Sequence, residues 1–294
     1  MFISPPDVFV HVERLAGEIE LVRREMGVPK DSRPAVVVKG AQPRDNFFQG
    51  LNLCRKTQRL CFDLTGDEGT FPPPTPQLEE ISPNDVFAVV DAALKNVRLV
   101  KERLGIADRI QAPARDETKT PSDVFRGIVA ASRQLSLMLD NRPTPTAVYE
   151  QLTDAVGTAN RVLARFPGAV APLEPEYERA KTPADVHARL ARCAGALREV
   201  RKKLGGPLLE IDWRLPPEQV EPSDVYDLAT LLAADLRYLE SRLPRATSSL
   251  GVIEMPPGRK LPAHNYQRAG LLEAQLAEIL KHLEAKPDLL KQKE

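Results

Sequence analysis

Few side chains in this sequence stand where they could do chemistry. The histidines, His11, His187, His264 and His282, are scattered along the chain. Glu278 and His282 would share a helix face, which is one edge of a metal site, but the paired Glu-x-x-His motifs of di-iron bundles are absent. A histidine on a solvated face is the simpler reading, so neither a metal nor a cofactor is expected. Cys54, Cys61 and Cys193 are too few and too odd in number for a disulfide framework. Cys54 and Cys61, two turns apart on one predicted helix, are too distant to pair without breaking it. They could form a reactive or metal-binding pair, and the flank of a helical core accounts for them more simply. Cys193 fits a core register as a small apolar residue. The chain carries no Gly-rich phosphate loop, GxSxG elbow, HExxH motif or Cys-x-x-Cys pair, so no catalytic residue is expected.

One aromatic position recurs. The hexamer Thr120-Pro121-Ser122-Asp123-Val124-Phe125 has versions starting at residues 4, 42, 82, 120, 144, 182, 221 and 261, each with proline second. Its last place holds Phe9, Phe47, Phe87, Phe125, Tyr149, His187, Tyr226 and Tyr266. If the helices ran side by side in one direction, these rings would gather at one end, as a mouth for a ligand or partner. The plainer reading is that each ring pins an incoming linker against a helix, in the manner of a hydrophobic staple.

The hexamer is a helix start. Thr120 is a good N-cap, Pro121 loses nothing at the first helical position, and Asp123 at the third faces the positive end of the helix dipole. The residues that follow, Val124, Ile128, Ala131, Leu135 and Met138, alternate steps of four and three, the seam of a helix packed on other helices. Val8, Val12, Leu15, Ile19, Val22 and Met26 repeat it in the first segment, and Val186, Leu190, Cys193, Leu197, Val200 and Leu204 in the sixth. The second segment is weakest, with Asn46, Gly50 and Thr57 on the seam and Phe47, Leu51, Cys54 and Cys61 beside it. It should be rotated or face two neighbours.

The hexamer spacings are 38, 40, 38, 24, 38, 39 and 40 residues, and the last four starts lie 140, 140, 139 and 141 residues after the first four. The expected fold is therefore all-α, a tandem duplication of a four-helix bundle with eight helices of roughly 22 residues, divided into 1–142 and 143–294. Linkers of about 15 residues exceed what antiparallel neighbours need. Extended and proline-rich, such a linker reaches about 45 Å, enough to return along a helix of about 33 Å and start the next in the same direction. Parallel helices are the expectation and an antiparallel bundle with overlong loops the alternative, with Val36-Val37-Val38, Leu208-Leu209 with Trp213, and Val252-Ile253 packed as extended segments along helix grooves. Only the connection around Asp140 to Thr144 is too short, so the fourth and fifth helices should form a hairpin or a bent continuation.

Composition narrows the function. Forty-one basic and 41 acidic residues cancel, as they do on each side of Arg142, which argues against nucleic acid or an anionic membrane as partner. The 27 prolines accompany 42% hydrophobic residues, so they punctuate ordered elements and do not mark disorder. No apolar run reaches the roughly 18 residues of a membrane span. The chain reads as soluble, cytoplasmic as written, or periplasmic or secreted if Met1 replaces an export signal. The expectation is a non-enzymatic helical scaffold that binds a protein partner through bundle surfaces and proline-rich linkers. The alternative is a sensor or carrier that holds a small molecule between helices.

Overall fold

The computed structural model describes residues 3–139, 142–244 and 249–285; Met1 and, in the short connection between the fourth and fifth helices, Asp140 and Asn141 lie outside the described residues, and with them the expected hairpin or bent continuation. Among the described residues eight α-helices form, α1 (Pro5–Glu25), α2 (Pro43–Thr65), α3 (Pro83–Arg103), α4 (Pro121–Ser136), α5 (Pro145–Leu163), α6 (Pro183–Lys203), α7 (Pro222–Ser241) and α8 (Pro262–Ala285). Each starts on the proline of its hexamer. In six of them the aspartate at the third position accepts the N-cap backbone N–H, at 2.7–2.9 Å from Ser4, Gln42, Ser82, Thr120, Thr182 and Glu221. In α8, His264 Nδ1 takes over this role toward the Leu261 N–H at 3.0 Å. In α5, where Ala147 has no acceptor, the Thr144 hydroxyl accepts the Ala147 N–H at 3.2 Å. A polar side chain thus ties off a backbone N–H at every start.

The chain forms two compact units, Met1–Arg142 with Leu209–Asp212, and Pro143–Leu208 with Trp213–Glu294. In the first, α1 and α2 each pack on both α3 and α4. In the second, α5 and α6 each pack on both α7 and α8. The helices of a unit run in one direction. In the first, Pro5, Pro43, Pro83 and Pro121 meet around a space of about 10 Å³ at one end, with Val8, Asn46, Val86 and Val124. In the second, equivalent levels touch: Arg268 of the second turn of α8 bonds Tyr149 of the second turn of α5, and Arg201 near the end of α6 bonds Asp235 low on α7.

Successive layers of the core come from the fourth, eighth, eleventh, fifteenth and eighteenth positions of the helices. In the second unit, Leu152 and Leu190 of α5 and α6 share a layer with Ala229 and Ala269, whereas the next layer pairs Ala155 and Cys193 with Leu232 and Leu272. Large and small residues alternate between diagonal pairs, which fills the axis of a square bundle. The doubled stripe of the second segment corresponds to burial on more than one face: α2 packs on α3 and α4, as α1 does, and in addition buries every residue from Arg44 to Cys54. Gly50 lets α3 approach, since a Cβ there would meet Val89 Cγ1 at 3.0 Å. Helix α4 is shorter than expected, at 16 residues. Its end tightens into i→i−3 bonds from Leu137 and Met138, yet Met138 keeps its place in the core.

Linkers climb the outside of the helices. The 27–42 linker follows α4: Gln134 accepts the Asp31 N–H and donates to Pro29 O, and Arg133 donates to Pro34 O. The 104–120 linker follows α1, where Ile110 lies against Gly17 and Arg115 bonds Asp7 and Ser4. In the second unit Pro175 O accepts from Gln267 of α8, and Asn160 of α5 donates to Gly251 O. Trp213 and Ile253 pack on the second core, while Val252 faces solvent.

Two short strands depart from the all-helical expectation. In the first unit β1 (Val37–Lys39) pairs antiparallel with β2 (Glu210–Asp212), Val38 opposite Ile211. Strands of three residues far apart in sequence, with no hairpin turn between them, leave no period in the sequence.

Candidate functional site

The eight recurring residues occupy the second turn of their helices, one position past the axial ring of Val8, Asn46, Val86 and Val124 and its counterparts. That offset turns them away from the axis and toward the linkers. Phe47 and Phe125 are fully buried, His187 and Tyr149 nearly so. Phe9, Phe87, Tyr226 and Tyr266 are half-buried. Their partners come from outside the ring of eight: Lys119 lies over Phe9 at 4.9 Å, His11 stacks on Phe87 at 4.1 Å, Phe48 meets Phe47 edge-on, and Lys181 lies over Tyr266 at 4.3 Å. Lys119, Lys181 and Lys260 each precede a helix proline by two residues, and Lys260 lies over Tyr149 at 4.9 Å. A linker thus ends by laying a lysine on the aromatic of a neighbouring helix. The axial space at the mouth of the first unit, about 10 Å³, is lined by proline, valine and asparagine and is at most the size of one water.

Open space lies instead on the flanks. Between α1, α4 and the 30–36 stretch of linker is a slot of about 380 Å³. Its floor is apolar, from Ala16 and Ile19 of α1, Val129, Ala130 and Ala131 of α4, and Val36. Its rim carries five cations, Arg24, Lys30, Arg33, Arg126 and Arg133, against two acids, Glu20 and Asp31, a formal excess of three. Glu20 is engaged by Arg23 at 2.7 Å and by Arg24 at 3.0 Å, and these hydrogen bonds, Arg23's first, hold its carboxyl down at about 2. Arg33 bonds Asp31 at 2.7 Å, and Arg126 reaches Asp123 outside the slot. Lys30 is exposed and has no carboxylate partner among the described residues. These cations carry no recognised motif; the one trace in sequence is Arg126 and Arg133, two turns apart beside the α4 seam.

The same flank of the second unit is built differently. The positions of Arg24, Arg126 and Arg133 are Ala164, Gln267 and Ala274, and Val129 becomes Gly270. A Cβ at Gly270 would lie 3.0 Å from Pro175 Cγ, so the 164–181 linker sits directly on α8. Beneath it Arg268, 4% exposed, pairs with Glu174 at 3.2 Å and donates to the Tyr149 hydroxyl and, at 3.3 Å, to Glu254 O.

A second hollow in the first unit, about 540 Å³, lies at the lower ends of α1 and α3. Arg14, Arg98, Lys101 and Arg109 face Glu18, Glu102 and Asp108, four charges against three, and Lys101 is already buried on Glu18. Lys101 stands in the last turn of α3, where it complements the dipole, and both Lys101 and Arg98 are directed at Glu18.

The remaining reactive side chains are held in packing. His282 stacks on Phe166 at 5.0 Å and Glu278 pairs with Lys281. Burial lowers the pKa of His11, with Asp91 at 3.3 Å opposing. All three cysteines are free and buried; burial pushes the Cys54 thiol up to about 11 and the Cys193 thiol up to about 12. The Cys61 sulfur lies 3.6 Å from the Thr65 hydroxyl. Among the described residues no group of three or more His, Cys, Asp or Glu is placed to hold a metal ion, and no helix is long and apolar enough to cross a membrane. The sequence matches no protein-family model, no curated protein and no solved structure.

Proposed function

We propose that this protein is a non-enzymatic helical scaffold that offers its linkers to a protein partner. The observation that carries the reading is where the exposed apolar residues lie. Of the nine large hydrophobic residues exposed among the described ones, only Phe62 belongs to a helix; Val37, Phe71, Val170, Leu173, Tyr177, Val252, Met255 and Leu261 lie between helices. Two of these segments, Phe71-Pro72-Pro73-Pro74-Thr75-Pro76 and Pro172-Leu173-Glu174-Pro175, are proline-rich. A pre-extended proline segment with an exposed apolar side chain suits an aromatic-lined groove at low entropic cost. The cancelling charge of the chain fits a protein partner better than a nucleic acid.

A photo-crosslinking residue at position 71 or 173 tests this in the native cells. An adduct from position 71 that disappears when Pro74→Ala is added, or one from position 173 that disappears when Pro172→Ala is added, with helicity unchanged, is expected; labelling that ignores both substitutions contradicts the reading. We also propose that 1–142 and 143–294 are duplicated four-helix domains, supported by the common helix pairing and the near-constant offset. Separate expression should give two cooperatively folding fragments. The slot of about 380 Å³ favours a second reading, a carrier or sensor of a small molecule, because it has the size of a ligand pocket and an apolar floor beneath a charged rim.

A further inference from the structure

The slot on the α1–α4 flank specifies more than size. We infer that it binds an amphipathic anion, a molecule with one carboxylate head and an unbranched apolar body. The inference rests on the ligand-binding reading, and is independent of whether the linkers capture a protein.

Three observations converge. The slot runs from Ala16 to Arg24 on α1 and from Arg126 to Gln134 on α4, roughly 12 Å at the α-helical rise, the length of a chain of about ten carbons. A concave slot two turns long matches a small ligand and falls well short of the roughly 800 Å² that each partner buries in a standard protein interface.

The slot is also polarised along its length. Arg24, Lys30 and Arg133 lie toward the lower ends of α1 and α4, while Val36, Val129 and Ala130 lie higher beside Arg126, whose guanidinium turns to Asp123 outside the slot, so head and body have separate places. Glu20 is saturated by Arg23 and Arg24, and Lys30 faces the slot with no carboxylate of its own. An incoming carboxylate would complete that pairing as a charge-assisted hydrogen bond beside an apolar surface.

Finally, the other cations have local partners and Lys30 has none among the described residues: Arg24 and Arg133 stand in the last turns of α1 and α4, where the dipole favours a cation, and Arg126 is paired with Asp123. In the second unit, where the rim positions hold Ala164, Gln267 and Ala274, a linker proline and the Arg189 guanidinium of α6 fill the flank at Gly270, and Arg268 beneath the linker is paired with Glu174.

Calorimetric titration of the full chain with decanoate, below its micelle concentration, tests this against decyltrimethylammonium, decanol and a hexaglutamate peptide. One decanoate per chain is expected, with at least tenfold weaker binding for decanol and none for the cation or the peptide. Lys30→Glu, an exposed linker change, should weaken decanoate at least tenfold. Ala130→Trp should abolish binding by filling the floor, and circular dichroism checks that both variants keep their helices. Absence of decanoate binding, several molecules per chain, equal binding of the cation, or retention in the Lys30→Glu protein overturns the inference. Tighter binding of the peptide also overturns it and assigns the slot to an acidic protein segment. Failure with decanoate leaves linker-dependent crosslinking untouched, so the two readings fail separately.

Discussion

The α1–α4 flank of the first unit and the α5–α8 flank of the second are the same place in the same helix pairing, and they are finished in opposite ways. In the second, Pro175 lies on Gly270 and a buried Arg268 gathers Tyr149, Glu174 and a backbone carbonyl under the linkers. In the first, Val129 and Ala130 stay open to a slot and the cations stand on its rim. The difference teaches that the core seam sets the framework, whereas the linkers set the surface chemistry. Both flanks rest on buried residues at equivalent core positions, such as Ile19 and Leu135 in one and Ala159 and Leu276 in the other.

The comparison can be broken most severely at the shared framework. Leu15→Ala and Leu197→Ala, in the first and second cores, should each cost about 2–5 kcal/mol by the cavity they leave, read by urea denaturation. A cost under about 1 kcal/mol at either would mean that the seam does not face the axis as described.

The contrast between flanks comes next. Arg268→Ala strands the buried Tyr149 hydroxyl and loosens both linkers, and should cost about 1–3 kcal/mol, discounted because Glu174 is partly exposed. Arg126→Ala on the open flank removes an exposed cation and should cost less than about 0.5 kcal/mol. Equal costs would erase the distinction between a closed and an open flank.

The helix starts are common to both units and give the smaller effects. Asp123→Ala should cost about 1 kcal/mol through the lost bonds to Thr120. The pH dependence has a definite sign. Hydrogen bonds from the Ser4 hydroxyl and amide hold the Asp7 carboxyl at about 2, and those of Thr182 lower Asp185. A carboxyl lowered in the folded chain contributes stability that is full above its unfolded value near 4 and is lost as pH falls toward 2. Melting temperature should therefore drop between about pH 4 and pH 2, with a shallower drop in the Asp7→Asn protein. An unchanged slope would show that the caps do not carry the acid sensitivity.

Much of the framework is legible in the sequence because it depends on local chemistry and a short period. Proline announces every helix and aspartate six of the eight, with the four-three seam behind most of them, and the length of the linkers announces their return. The doubled stripe of the second helix likewise foretells its burial on more than one face. Where the linkers lie is not legible, since it turns on single contacts such as Gln134 with Pro29 and Asp31 or Ile110 on Gly17. The same is true of the β1–β2 pairing. The recurring aromatics sit in matching turns, as their spacing requires, but their direction depends on a rotation of one residue about the helix. The slot cations escape notice because they come from α1, α4 and a linker, and meet only after folding.

Helix direction is the claim on which layers, linkers and slot all depend. It can be measured directly by double electron–electron resonance on a chain whose three native cysteines are replaced, with spin labels at the exposed positions Glu25 and Arg103, and separately at Glu25 and Asn84. Parallel packing of α1 and α3 predicts a short Glu25–Arg103 separation, about 10–20 Å, and a long Glu25–Asn84 separation, about 30 Å. The reverse order, long for the first pair and short for the second, would mean antiparallel helices and would contradict the account.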